Sequence, residues 1–248
     1  MILRLLLASI VAAVLAAGMA ACETTQQQSQ RLSLNAKKLL NVDGLKIAKQ
    51  NGQIKAVSAA AVNDKYGSAV VVNLVNSGPT QLNVPIAAVM IGKKRKNLWN
   101  NSIPGLDKSL ISAAAVEKGK SFWVNNQIDL NVAPKRVKAK VGVSSERPKG
   151  PLPKLTLSDE SFKADSSGVY LNGTITNRSK IVQKRLVISC ISTAGGRLKA
   201  AGRSIIERLQ PAPTPKPTRF RVYFIGNPKG GAMKCIAPPT TLTGDAAQ

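Results

Sequence analysis

The sequence predicts an all-β protein, with two tandem β-sandwich domains following a signal peptide and a flexible tether. Three observations predict it. Short β-branched runs with a two-residue period recur along the chain, each bounded by Gly, Pro, Asn or Ser. No window carries a convincing 3.6-residue apolar period beyond about ten residues. Finally, one unit of strands occurs twice, with Asp64 and Asp165 lying 101 residues apart.

The elements follow in order. Residues 1–21 place one positive charge, Arg4, before an unbroken run of Leu, Ala, Ile and Val and a stretch of small residues. That is the plan of a secretory signal. Residues 22–40 are a tether, opening with the polar, low-complexity run Glu23 to Gln30. Within it, Arg31 to Leu40 forms either a short helix or more tether. The first sandwich spans 41–145. Asn51-Gly52 is a hairpin signal that joins LKIAKQ to QIKAVS. Residues 146–153 hold three prolines and a glycine and read as the interdomain linker. The second sandwich spans 154–241, and 242–248 is a tail.

The two copies match segment by segment. DKYGSAVVVNLVNSG, from Asp64, corresponds to DSSGVYLNGTITNRS, from Asp165. Asn83 to Ile91 answers Lys184 to Ser192, Ser121 to Val124 answers Arg219 to Val222, and Val137 to Val143 answers Ala232 to Pro238. The shared Asp64 and Asp165 read as turn formers ahead of a glycine able to take positive φ, and Asn76 and Asn177 as structural turn residues.

Met19-Ala20-Ala21-Cys22 resembles the lipobox of bacterial lipoproteins, with Met where Leu is usual. The resemblance implies a diacylglyceryl group on the Cys22 thiol and cleavage between Ala21 and Cys22. Two acyl chains hold a protein stably at a membrane, at about 0.8 kcal/mol per buried CH₂. The alternatives are an ordinary signal with a chance Cys or an uncleaved anchor, though Leu5 to Ala21 is short for spanning. Glu23 is not the Asp that resembles an inner-membrane retention signal, so the outer membrane is favoured.

The second copy resembles the small immunoglobulin-like modules of envelope lipoproteins known as FxLYD-type domains. The carriers are Gly173-Thr-Ile-Thr-Asn177, Leu186-Val187-Ile188, Gly195-Gly196, Pro211 to Pro217 and Phe220-Arg-Val222. Ile175 stands where the family has Val, and the F-x-L-Y-D string itself is absent. The first copy is similar only by way of the second. The resemblance implies two immunoglobulin-like sandwiches that bind or scaffold and carry no family catalytic residues.

With Cys22 lipidated, Cys190 and Cys235 remain as an even pair in an exported chain. A disulfide is the simplest reading. It closes a loop of about 45 residues, which chain entropy values at about 4 kcal/mol. Two buried thiols acting as small hydrophobes are the alternative. The corresponding positions of the first copy are approximately Val89 and Val141.

Composition limits the function. The chain has no His, which excludes Ser-His-Asp and Cys-His catalysis and imidazole-bound zinc. No cofactor motif and no metal site are present. There are 36 Lys+Arg against 12 Asp+Glu, for a net charge of +24. Lys93, Lys94, Arg95 and Lys96 are expected on a hairpin tip. Lys135, Arg136, Lys138 and Lys140 form a second cluster. Strand alternation puts Lys138 and Lys140 on one face and Val137, Ala139 and Val141 on the other.

Such charge either keeps a surface soluble or attracts an anionic polymer or membrane. Nucleic acid is not the expected partner, since the chain is exported and only 4% aromatic. Trp99, in a polar setting, is the surface candidate for stacking, against a plain packing role. The expectation is a lipid-anchored, non-enzymatic cell-envelope protein. It binds or scaffolds an envelope protein complex or an anionic envelope polymer. The rival is an envelope enzyme on wall polymer, with carboxylates contributed by both domains.

Cys22→Ser should abolish membrane retention and leave the folded domains intact. Mass spectrometry of the mature N-terminus checks this, with a lipidated Cys22 as the expected first residue.

Overall fold

The computed structural model describes residues 44–130, 132–211 and 217–242. The expectations for the signal segment, Cys22, the tether and most of the tail lie outside these residues. So does part of the Pro211–Pro217 turn. Among the described residues there is no α-helix, only strands and two single 3-10 turns.

The first half contains β1 (Ile54–Asp64), β2 (Gly67–Asn76), β3 (Gln81–Ile91), β4 (Asn97–Asn100), β5 (Ser112–Val116), β6 (Gly119–Ile128) and β7 (Arg136–Val141). The second contains β8 (Leu155–Asp165), β9 (Gly168–Asn177), β10 (Gln183–Ala194), β11 (Arg197–Leu209), β12 (Thr218–Gly226) and β13 (Ala232–Ile236). Residues 143–154 connect the halves without strand structure.

The pairing repeats. β1, β2 and β6 form one antiparallel sheet, as do β8, β9 and β12. β3 pairs β7 as β10 pairs β13. Between β10 and β12 the second half has one long strand, β11. The first half has β4 and β5 in that interval, separated by a loop. β12 pairs β9 over Thr218–Tyr223 and then β11 through Phe224–Gly226, so one strand joins both sheets. That crossing needs Gly202, where a Cβ would lie 2.2 Å from the Tyr223 carbonyl oxygen.

The ends of the repeats are held by equivalent amides. Asn76 Nδ2 donates to the carbonyls of Pro79 (2.9 Å) and Val116 (3.0 Å). Asn177 Nδ2 donates to the carbonyls of Ile181 (2.8 Å) and Leu209 (3.5 Å). Gln81 and Gln183 open their strands fully buried, and Asn83 and Arg185 each take a left-handed backbone at φ 49 and φ 48. These landmarks set the true match along the strand. The turn between β9 and β10 is one residue longer than that between β2 and β3, so Cys190 corresponds to Ala88. The expected match to Val89 and Val141 is therefore corrected: Val89 faces Lys138, and Val141 faces Ile86.

Cys190 and Cys235 form the disulfide, directly opposed across β10 and β13 with Cα atoms 4.1 Å apart. In the first half the equivalent pair is Ala88 and Ala139, also directly opposed. The same sheet position is therefore bridged covalently in one half and filled by two methyl groups in the other.

Asn51-Gly52 is not a hairpin. Neither residue has positive φ, which a type I′ turn requires at both positions. Asn51 is buried and spends its side chain elsewhere. Its Oδ1 accepts from the amides of Gln53 and Ile54, and its Nδ2 donates to Gln81 Oε1 and the Gly142 carbonyl. The preceding segment makes a single bridge, Gln50 to Gly142.

Each half has its own core. Val70, Val72 and Leu74 of β2 meet Val84, Ile86 and Met90 of β3. Leu171 and Ile175 of β9 meet Leu186, Ile188 and Cys190 of β10. A third cluster joins the halves: Ala69, Val71, Phe122 and Val124 from the first, Ile191, Ala201 and Ile225 from the second. β2 is thus buried on both faces, which is why AVVV is a continuous apolar run. Full burial of a side chain such as Val71 contributes about 1.5–3 kcal/mol.

Replacing Cys190 and Cys235 with Ala reproduces the pair found in the first half. We expect the variant to fold and to lose about 2–4 kcal/mol. Because the halves share a cluster, both tryptophans, which lie in the first half, should report the loss in urea unfolding.

Candidate functional site

The two basic clusters meet. Ile91 N-terminally precedes the Gly92–Lys96 turn, which is closed by Gly92 N–H donating to the Lys96 carbonyl at 2.8 Å and Lys96 N–H donating to the Lys93 carbonyl at 3.1 Å. Lys94 and Arg95 take left-handed conformations at φ 52 and φ 60, and all of Lys93, Lys94, Arg95 and Lys96 are exposed. This is the expected hairpin tip, between β3 and β4. At the same end of the sheet Lys135 N–H donates to the Ile91 carbonyl at 2.9 Å, and Arg136 pairs with Ile91. Register, which the sequence does not print, brings together positions some forty residues apart.

From there the basic positions run along β7. Arg136, Lys138 and Lys140 are exposed, whereas Val137 and Ala139 are half-buried and Val141 is buried. The expected alternation is present. Opposite them on β3 stand Ile91, Val89 and Ala87, each half-buried. The face therefore offers a row of cations beside a shallow apolar strip. Trp99 is not a platform on it: it pairs with Met90 and packs against the first core.

Of the two turn aspartates, Asp64 also acts between the halves, whereas the partners of Asp165 lie within its own half. Asp64 Oδ1 accepts from the Tyr66 amide at 2.8 Å, the expected turn role, while Oδ2 accepts from the Gly226 amide at 2.7 Å. Asp165 accepts from the Ser167 amide and from the Tyr223 hydroxyl, with the Arg221 guanidinium 3.6 Å away and stacked 4.3 Å from the Tyr170 ring centroid.

An ion pair also crosses the halves. Arg185 Nη2 reaches Asp107 at 2.7 Å, and its Nη1 lies 3.3 Å from Glu207. Asp107 also accepts from the Ser109 hydroxyl and amide. The Ser109 hydroxyl and amide, with Arg185, hold the Asp107 carboxyl below the usual carboxylate range, against the opposing effect of partial burial. Sequence reasoning missed Asp107, Arg185 and Arg203. Arg203 left one trace, since it occupies the same strand face as Ala201 and Ile205, two apolar neighbours at a two-residue period.

Among the described residues no group of three or more His, Cys, Asp or Glu could hold a metal, and no helix is long and apolar enough to cross a membrane. The sequence matches no known family model and no curated protein.

The lowered Asp107 pKa has a pH consequence. Its contribution to stability is whole above the unfolded value of 3.8 and is lost as pH falls through the lower folded value. The stability gap between wild type and Asp107→Asn should therefore be constant well above pH 3.8 and narrow as the pH falls below that value. Urea unfolding at a series of pH values checks it.

Proposed function

We propose that the protein is a lipid-anchored, non-enzymatic component of a bacterial cell envelope that binds an anionic envelope polymer through the outer face of β3 and β7. The observation that carries the reading is the convergence of Lys93, Lys94, Arg95 and Lys96 with Lys135, Arg136, Lys138 and Lys140 at one sheet. Cations in a row at strand spacing suit a repeating anion better than a single small one. The half-buried strip of Ala87, Val89 and Ile91 gives the polymer's apolar parts a surface to lie against. The lipobox at Cys22 and the polar tether supply the anchor in this reading, and the resemblance to FxLYD-type modules agrees with a binding role.

The enzymatic alternative is favoured by one observation: Asp107 and Glu207, from different halves, approach the same guanidinium. Two carboxylates serving a glycosidic bond need one member kept protonated, with space between them. Here Arg185 stands between the pair, and Asp107 is held toward its ionised form.

The test compares binding of residues 31–248, which lack the Cys22 anchor and contain every described strand, to anionic and neutral vesicles and to wall-polymer preparations across a salt series. Binding should be confined to anionic material and should fall steeply with salt, since exposed charges are screened within about 8 Å at physiological ionic strength. Each basic residue near an anionic surface is worth about 1 kcal/mol, so replacing Arg136, Lys138 and Lys140 together with Gln should weaken binding about 100-fold. Equal binding to neutral and anionic material, or an unaffected triple variant, overturns the polymer reading and leaves a protein complex as the partner.

A further inference from the structure

A cavity of about 270 Å³ lies between the two halves, well away in sequence from the basic strand β7. Its walls are of two kinds. Phe122, Val187 and Ile236 are apolar; Lys108, Lys184 and Arg185 are cationic, with Asp107 the one acid. Asp107 is already engaged by Arg185 and Ser109.

Behind this wall sits Arg203, only 7% exposed. Its Nη2 donates to Ser109 Oγ, and Ser109 lines the cavity. Its Nε and Nη1 are buried and have no hydrogen-bond partner. Arg203 does not itself line the cavity, but the strand register puts it on the sheet face that borders it. Arg203 is paired with Ser189, and the neighbouring pair on that sheet face is Ile205 with Val187. Ser189, Ile205 and Val187 all line the cavity. A buried guanidinium with two unused donors is costly, and an anion is the partner that repays it. Desolvation biases Arg203 against its charge; nearby Asp107 offsets part of this and nearby Arg185 adds to it.

We infer that the cavity between the halves is a binding site for a small amphipathic anion, a carboxylate or phosphate monoester on a short apolar chain. Its head is held by the Arg203 side of the cavity, and its chain lies against Phe122, Val187 and Ile236. The volume is at the small end of ligand sites, typically about 300–1,000 Å³, which excludes long lipids and whole polymers. The site is separate from the face proposed above to bind polymer and does not depend on that reading.

The probes are hexanoate, hexyl phosphate, hexanol and inorganic phosphate, titrated by calorimetry into residues 31–248, which lack the Cys22 anchor and contain every described strand, with ¹⁵N NMR of arginine Nε–H groups. Hexanoate or hexyl phosphate should bind at least tenfold more tightly than hexanol and inorganic phosphate, and should shift the Arg203 Nε resonance. Arg203→Met should lower that affinity at least tenfold. Val187→Trp, which fills the cavity and keeps Arg203, should do the same. Arg136→Gln should leave it unchanged. The inference is overturned if hexanol binds as well as hexanoate, if inorganic phosphate alone accounts for the binding, or if the Arg203 resonance does not move. Since the resonance is read on the wild-type protein, the result stands even if Arg203→Met fails to fold.

Discussion

The structure depends on the apolar cluster in which Val71, Phe122 and Val124 meet Ile191, Ala201 and Ile225. A sandwich strand normally turns one face to its own core and the other to water. Here β2 and β6 turn alternate residues to two cores at once: Val70, Val72 and Trp123 inward, Ala69, Val71, Phe122 and Val124 across. Outside the cluster polar groups also join the halves: the Asp64 carboxylate accepts from the Gly226 amide, and the exposed Tyr66 hydroxyl donates to the Ser166 carbonyl.

This arrangement separates two kinds of positive charge. The cations of β7 and of the Lys93–Lys96 turn stay in water, where they cost little and act at long range. Arg203 is taken into the junction, where two of its nitrogens go unpaired. The first set suits a polymer gathered from solution. The second suits one ligand held by shape and by a desolvated charge.

Much of the fold was legible in the chain. The strands, the repeat, the turn asparagines, the basic hairpin tip and the disulfide follow from local chemistry, namely β-branched alternation, Gly after Asp, and the even pair of cysteines that remains once Cys22 is set aside. What failed was decided by tertiary structure. Asn51-Gly52 has hairpin chemistry, but the Asn51 side-chain amide is taken by Gln81 of β3 and by Gly142 just after β7. The first-half counterpart of Cys190 was misplaced because one extra residue in a turn shifts the register, and only the pairing reveals Ala139, opposite Ala88, as the counterpart of Cys235. The continuous run at Ala69–Val72 marked a strand, and its second buried face was the unread part of that signal. The meeting of Asp107, Arg185 and Arg203 had no local signature beyond the spacing of Arg203 between apolar neighbours.

The central claim is that the two halves fold as one unit through their shared cluster. Native-state hydrogen exchange over a range of denaturant measures it most directly. The slowest amides of β2 and β6 should exchange with the same free energy as those of β10 and β11, and Val124→Asp should lower both sets together. Two distinct free energies in the wild type, or a Val124→Asp loss confined to β1–β7, would contradict the account.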